Sequence, residues 1–204
     1  MPSLLTNGPE AGPTVVLAHG AGAAMDTDFM NFFAEGFAER DARVVRFEFP
    51  YMVKRRETGG KRPPDREPIL RRTWLEIIES LGAENLIIGG KSMGGRMASL
   101  VADEAKVAGL LCLGYPFHPS GKPDRLRTEH LRTIETPTLI LQGERDPMGN
   151  RTEVAGYDLS SSVQVHWMAD GDHGFKPRKK SGLTVEDNWR EGVRVAADFV
   201  HGLN

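Results

Sequence analysis

Leu86-Ile87-Ile88-Gly89-Gly90-Lys91-Ser92-Met93-Gly94-Gly95 decides how this chain is read. An apolar run of strand length feeds directly into Gly90-x-Ser92-x-Gly94, and Arg96-Met97-Ala98-Ser99-Leu100 continues with a helix-compatible composition. Strand, tight turn and helix together are the context of a nucleophile elbow, in which a serine sits in a strained backbone with its hydroxyl exposed. Glycines on either side of the serine let neighbouring backbone approach. The G-x-S-x-G string also arises by chance, so its weight comes from the flanking strand and helix. Ser92 is therefore expected to attack a carbonyl, which requires an acid, a base and an oxyanion hole at the ends of other strands.

Outward from the elbow, further strands are predicted at Thr14–Ala18, 43–49, 107–114, Thr138–Gly143 and Val163–Met168, with the elbow strand over 85–89. Helical patterns lie between most of them. Asp28 opens one that carries Phe29, Phe33 and Phe37 at helical spacing, read as core contacts. Leu70, Trp74, Ile77, Ile78 and Leu81 form one face of another, over Ile69–Leu81, and a helix over Val185–Val200 closes the chain. Strands alternating with helices predict an α/β fold, a mostly parallel sheet covered on both faces. Reactive groups in such sheets collect at the carboxyl ends of the strands.

The acid is sought after the Thr138–Gly143 strand, in Glu144-Arg145-Asp146-Pro147. Asp146 is the choice. Glu144 competes because it is nearer the strand end, and the alternative role for Asp146 is to cap a helix beginning near Asn150. The base is sought after Val163–Met168, in Asp170-Gly171-Asp172-His173-Gly174. His173 titrates near neutrality, so it can take the serine proton and return it to a leaving group. Asp172, adjacent in sequence, would face away from the ring, and Asp170 is a more distant candidate to orient it. The order Ser92, Asp146, His173 places each role past a different strand. The oxyanion hole is assigned to the backbone N–H of Met93 and, from the turn His19-Gly20-Ala21-Gly22, of Ala21. His19 itself is read as structural.

Two rival motifs fail. Gly90-Lys91-Ser92 resembles the end of a P-loop, but the first glycine of that motif would stand at Asn85, and a hydrophobic strand fills the interval. Gly20-x-Gly22 resembles half a dinucleotide fingerprint, but its third glycine position is Met25, although Glu48 ends a strand where a ribose contact would fall. No nucleotide cofactor follows. The histidines show no metal-ligand spacing, and His118 and His166 stand isolated.

The 204 residues suit one α/β domain spanning 1–204, and 39% hydrophobic with 26% charged residues is an ordinary globular balance. A net charge of -2 gives no general attraction to nucleic acid or acidic membranes. Cys112 is the only cysteine, so it is expected to be a small buried hydrophobe. Neither a signal peptide nor a membrane span is read, and the expected location is the cytoplasm. The segment 51–68 carries Lys54, Arg55, Arg56, Lys61, Arg62 and Arg66 with Gly59-Gly60 and Pro63-Pro64; it is read as a loop, either a solvated excursion or a basic rim that attracts anionic substrates.

Taken together, Leu17-Ala18-His19-Gly20-Ala21-Gly22, Gly90-Lys91-Ser92-Met93-Gly94-Gly95-Arg96, Gly114-Tyr115-Pro116-Phe117-His118-Pro119 with Gly121-Lys122-Pro123, Gln142-Gly143-Glu144-Arg145-Asp146 and Gly171-Asp172-His173-Gly174-Phe175-Lys176-Pro177 resemble the α/β-hydrolase superfamily over nearly the whole chain. Within it, the chain is similar to a small lidless group of dienelactone-hydrolase-like predicted hydrolases, whose eukaryotic relatives include a scaffold subunit of a histone-acetyltransferase complex. The resemblance implies a sheet of six to seven strands with no large cap, Ser92, Asp146 and His173 as a triad, and Tyr115 and His118 facing the site; Gly20, from the turn after the first strand, and Lys91, an elbow residue pointing into the loops, are also expected to bind substrate. Dienelactone hydrolases proper use a cysteine nucleophile, so Ser92 departs from their pattern. The function expected is cofactor-free hydrolysis of a carboxylic ester or similar small acyl compound. A non-catalytic binding or scaffold module and an acyltransferase are the alternatives.

Overall fold

In a computed structural model describing residues 3–203, the strands are β1 Leu4–Asn7, β2 Thr14–Ala18, β3 Arg43–Phe47, β4 Leu86–Lys91, β5 Gly109–Leu113, β6 Thr138–Gly143 and β7 Val163–Met168. They form one sheet in the order β1-β3-β2-β4-β5-β6-β7. Every pairing is parallel except that of β1 with β3. The helices are α1 Asp28–Ala38, α2 Pro50–Thr58, α3 Glu67–Leu81, α4 Met93–Ser99, α5 Ala102–Ala105, α6 Arg151–Val154 and α7 Val185–Gly202. This is the α/β-hydrolase architecture, without a large cap domain.

Near-continuous apolar strands such as Thr14–Ala18 and Gly109–Leu113 need cover on both faces, and two cores supply it. On one face Phe33 and Phe37 of α1 meet Val193, Ala196 and Val200 of α7. On the other, Trp74, Ile77 and Ile78 of α3 and Met97 and Ala98 of α4 pack on Val16, Ile88 and Cys112. Burial pushes the Cys112 thiol well above its usual range, which keeps it protonated. No helix among the described residues is long and apolar enough to cross a membrane.

β3 lies on one side of β2 and β4 on the other, so the chain reverses direction of winding between β2 and β4. A crevice opens at such a switch point, at the carboxyl ends of the strands. The turn after β2 and the elbow after β4 face each other across it.

The segment 51–68 departs from the loop expected. Pro50 stands at the first turn of α2, and Gly59 closes the helix in the left-handed region at φ 65. Tyr51 and Met52 anchor the helix in the core, and only 59–66 is irregular. Its cations hid this, because the buried face of α2 is confined to its first turn. β1 was also unread: its residues are exposed or half-buried in alternation, as suits an edge strand of four residues.

Candidate active site

Ser92 has φ 51 and ψ -112, the strained geometry expected of an elbow. The strain persists because the neighbouring chain leaves no alternative. Gly90 adopts φ 144, and a Cβ there would lie 2.0 Å from the Ala18 carbonyl oxygen. A Cβ at Gly94 would lie 2.4 Å from the same oxygen. Only glycine lets α4 start this close to the end of β2.

Ser92 lines a cavity of ≈ 580 Å³ together with Gly20, Ala21, Lys91, Met93 and His173. The apolar part of its wall comes from Leu70, Met97, Pro116 and Met148. The N–H groups of Ala21 and Met93 find no backbone acceptor among the described residues, so both are free to bind a ligand oxygen.

Asp146 is fully buried, and its Oδ2 lies 2.6 Å from His173 Nδ1. The carboxylate can only accept, so Nδ1 carries the proton and Nε2 is the free base position. His173 Nε2 is buried and has no partner among the described residues, so it is left for a proton from the cavity. Burial, and then the charge of Lys91, hold the His173 pKa below the ordinary value, against the raising effect of the Asp146 bond. The rival carboxylates are engaged elsewhere. Glu144 pairs with Arg151 at 2.8 Å and accepts from the Asp170 N–H at 2.9 Å. Asp170 is clamped by Arg178, and Asp172 Oδ1 accepts from the Gly174 and Lys176 N–H groups at 2.8 and 3.0 Å. Asn150, not Asp146, caps α6.

Asp146 is itself held. Met148 N–H donates to its Oδ1 at 2.8 Å, and Gln142 Nε2 donates to its Oδ2 at 2.9 Å. Gln142 is fully buried; its Oε1 accepts from the Tyr115 N–H at 2.7 Å, and Nε2 also reaches the Tyr115 and Gly149 carbonyls at 3.1 and 3.0 Å. These partners fix which end of the amide is oxygen. Sequence reading missed this residue, although a lone amide at the end of the apolar run Thr-Leu-Ile-Leu was its signal.

The turn after β2 is staked from below. His19 is fully buried; its Nδ1 donates to the Gly20 carbonyl at 2.7 Å and its Nε2 accepts from the Phe49 N–H at 3.1 Å. Burial depresses its pKa, and both nitrogens are used, so its role is structural. The Tyr51 hydroxyl donates to the Gly20 and Ala21 carbonyls at 3.3 and 3.0 Å, and Arg55 donates to the Gly22 carbonyl at 3.1 Å. Arg56 binds Glu48 and Asp26. Arg55 and Arg56 are thus structural ties rather than a rim for substrates, and the segment lends the cavity wall Pro64, Asp65 and Glu67, not its cations.

Two expected site residues lie elsewhere. Tyr115 is fully buried, and its hydroxyl donates to the Arg127 carbonyl at 2.9 Å. His118 is 2% exposed; its Nδ1 donates to the Pro119 carbonyl at 3.0 Å, and its Nε2 lies 3.5 Å from Glu153. Both side chains turn under the β5–β6 connection, because their aromatic area is worth more in the core than at the open cavity. Gly20 and Lys91 do line the cavity, but Lys91 Nζ turns away from it. It donates to the His173 carbonyl and sits 5.2 and 5.6 Å from the ring centroids of Phe29 and Phe175.

A protein family described as "Alpha/beta hydrolase domain" matches residues 11–201. The Rattus norvegicus protein named "Putative protein-lysine deacylase ABHD14B" is 26% identical over 203 residues, 97% of this chain and 87% of that protein. Among solved structures, a monoacylglycerol lipase from Paleococcus ferrophilus aligns with a TM-score of 0.74 at 16% identity, over 100% of both chains. An α/β serine hydrolase homologue from Coxiella burnetii aligns at 0.70 with 20% identity, over 94% of this chain and 89% of that one. A serine hydrolase without lid from Xanthomonas campestris aligns at 0.67 with 19% identity, over 94% and 87%. At these identities the solved structures speak to the fold alone.

Proposed function

The chain belongs to the α/β-hydrolase domain family, and on that premise we propose that it is a serine hydrolase cleaving a carboxylic ester or related small acyl substrate through an acyl-enzyme on Ser92. The observation that carries the proposal is the 2.6 Å bond from buried Asp146 to His173 Nδ1, which leaves Nε2 unpartnered in the same cavity as the strained serine.

His173 Nε2 takes the proton of Ser92 Oγ as that oxygen bonds to the acyl carbon. Negative charge passes to the carbonyl oxygen, which the Ala21 and Met93 N–H groups stabilise. Asp146 keeps the ring in the needed tautomer and stabilises the imidazolium. The imidazolium returns its proton to the leaving oxygen or nitrogen as the scissile bond breaks. Water, deprotonated by the same Nε2, then attacks the acyl-serine; the acid departs and the serine proton is restored. The 26% identical relative supports a second substrate form, in which the leaving group is an amine, as in an acyl-lysine. The chemistry is the same except that protonation of the leaving nitrogen becomes obligatory.

A fluorophosphonate probe tests the nucleophile. It labels Ser92 in folded wild type, and Ser92→Ala loses both labelling and hydrolysis of p-nitrophenyl butyrate by about 10⁴-fold or more. Equal esterase rates in the two proteins would establish the non-catalytic alternative. An acyl-lysine peptide assayed beside the ester decides the leaving group.

A further inference from the structure

Two arginines stand in the wall of the Ser92 cavity. Arg96 lies on α4, one helical turn past the serine, and Arg127 comes from the β5–β6 connection. Both also line an adjoining groove of ≈ 730 Å³ that contains neither Ser92 nor His173. Arg96 pairs with Glu67 at 3.0 Å through a terminal nitrogen, while its Nε is buried without a partner among the described residues. The guanidinium of Arg127 makes no hydrogen bond or ion pair among the described residues, and the charge of Arg96 acts on it unfavourably.

Arg127 is not a loosely held surface cation. Its N–H donates to the Phe117 carbonyl at 2.8 Å, and its own carbonyl accepts the buried Tyr115 hydroxyl at 2.9 Å. Tyr115 and Phe117 are both fully buried, so the core fixes the backbone from which the guanidinium projects. Of the cavity's carboxylates, Glu67 answers Arg96, and Asp65 accepts the Tyr51 N–H at 2.9 Å. Asp65 and Glu67 match the two arginines in number, but Glu67 bonds to Arg96 and neither carboxylate bonds to the Arg127 guanidinium, which is left without a partner in the cavity wall among the described residues. A guanidinium fork suits the two oxygens of a carboxylate.

We propose that Arg127, seconded by Arg96, is an anion subsite of this cavity, and that the substrates it selects are acyl compounds whose acyl chain ends in a free carboxylate, the half-esters or half-amides of short dicarboxylic acids. The proposal rests on Ser92 being the nucleophile. Leu70, Met97 and Met148 line the same cavity and offer apolar contact to the methylenes of such a chain.

The test compares kcat/KM for p-nitrophenyl hemiglutarate with that for p-nitrophenyl valerate, which is of similar length but uncharged. Wild type prefers the hemiglutarate by about tenfold or more, and Arg127→Gln lowers that ratio by about the same factor, as loss of a charged hydrogen bond requires. Added salt lowers the wild-type ratio. Arg132→Gln, whose native partner is Asp158 at 2.9 Å outside this cavity, leaves the ratio unaltered. A wild-type ratio near one, or an equal ratio in Arg127→Gln, overturns the subsite. Hydrolysis of neither ester would remove the Ser92 reading instead. Calorimetric titration with glutarate then still decides the subsite: binding lost in Arg127→Gln upholds it, and no binding to wild type overturns it.

Discussion

Lys91→Met removes the ammonium that holds the histidine loop and keeps the length of the side chain. A Cβ added at Gly114 would lie 2.7 Å from Lys91 Nζ and 3.4 Å from His173 Cε1, so those two atoms are at most about 6 Å apart. At that separation two unit charges repel by between about 0.7 kcal/mol in water-like surroundings and about 3 kcal/mol at an effective dielectric near 20. That energy is about 0.5 to 2 pH units. Burial brings the Lys91 pKa down to about 8, against the opposing pull of Asp146 and Asp172, so below neutrality it is a full cation. It lowers the His173 pKa by disfavouring the imidazolium. Catalysis needs Nε2 neutral, so activity falls as pH drops through the His173 pKa. Removing the cation raises that pKa, and the acid limb of kcat/KM moves to higher pH by about 0.5 to 2 units. The lost bond to the His173 carbonyl also frees the loop, which lowers kcat by about tenfold through misplacement of the ring. The assay is kcat/KM for a neutral p-nitrophenyl ester from pH 5 to 8 in both proteins. An acid limb that stays in place, or moves to lower pH, refutes the electrostatic link between Lys91 and His173.

Gln142→Leu keeps the volume but leaves the Tyr115 N–H without its acceptor and Asp146 Oδ2 without its amide donor. It lowers stability by about 2 to 4 kcal/mol in urea melts and reduces kcat more than it raises KM; an unchanged kcat would show that Met148 alone positions the carboxylate. Acid weakens the fold through His130, whose pKa is pushed down to about 4, first by burial and then by Arg96. The unfolded chain binds the proton more tightly, so this contribution is present above about 6.5 and is lost as pH falls through about 4. Between pH 7 and 5 the loss is about 1 kcal/mol for this partly exposed ring, read as a falling urea midpoint that flattens in His130→Gln; parallel slopes in the two proteins would contradict it.

Much of the site was legible because its parts follow strands. Glycine-flanked Ser92, Asp146 and His173 each follow the end of a strand, and a parallel sheet brings such ends to one edge. Asp146 was preferred to Glu144 on sequence, and the reason it is the one that meets His173 is tertiary: Asp146 turns inward while Glu144 pairs with Arg151. Tyr115 and His118 were misplaced for a related reason: a tyrosine and a histidine beside a site have the same letters whether they face the substrate or the core. The cations of 51–68 misled in the opposite direction, hiding a helix whose Tyr51 and Arg55 hold the turn after β2.

By itself the sequence determined the alternation of strands and helices, the strained turn at Ser92 and the order in which Ser92, Asp146 and His173 follow their strands. Each of these depends on local steric rules and on periodicity within a few residues. Only the tertiary structure decided how Asp146 is held against His173, that Lys91 turns back onto the histidine loop, and that the Arg127 guanidinium lines the cavity without a bonded partner among the described residues. Those outcomes are set by side chains that lie tens of residues apart and meet only when the sheet brings its carboxyl ends together.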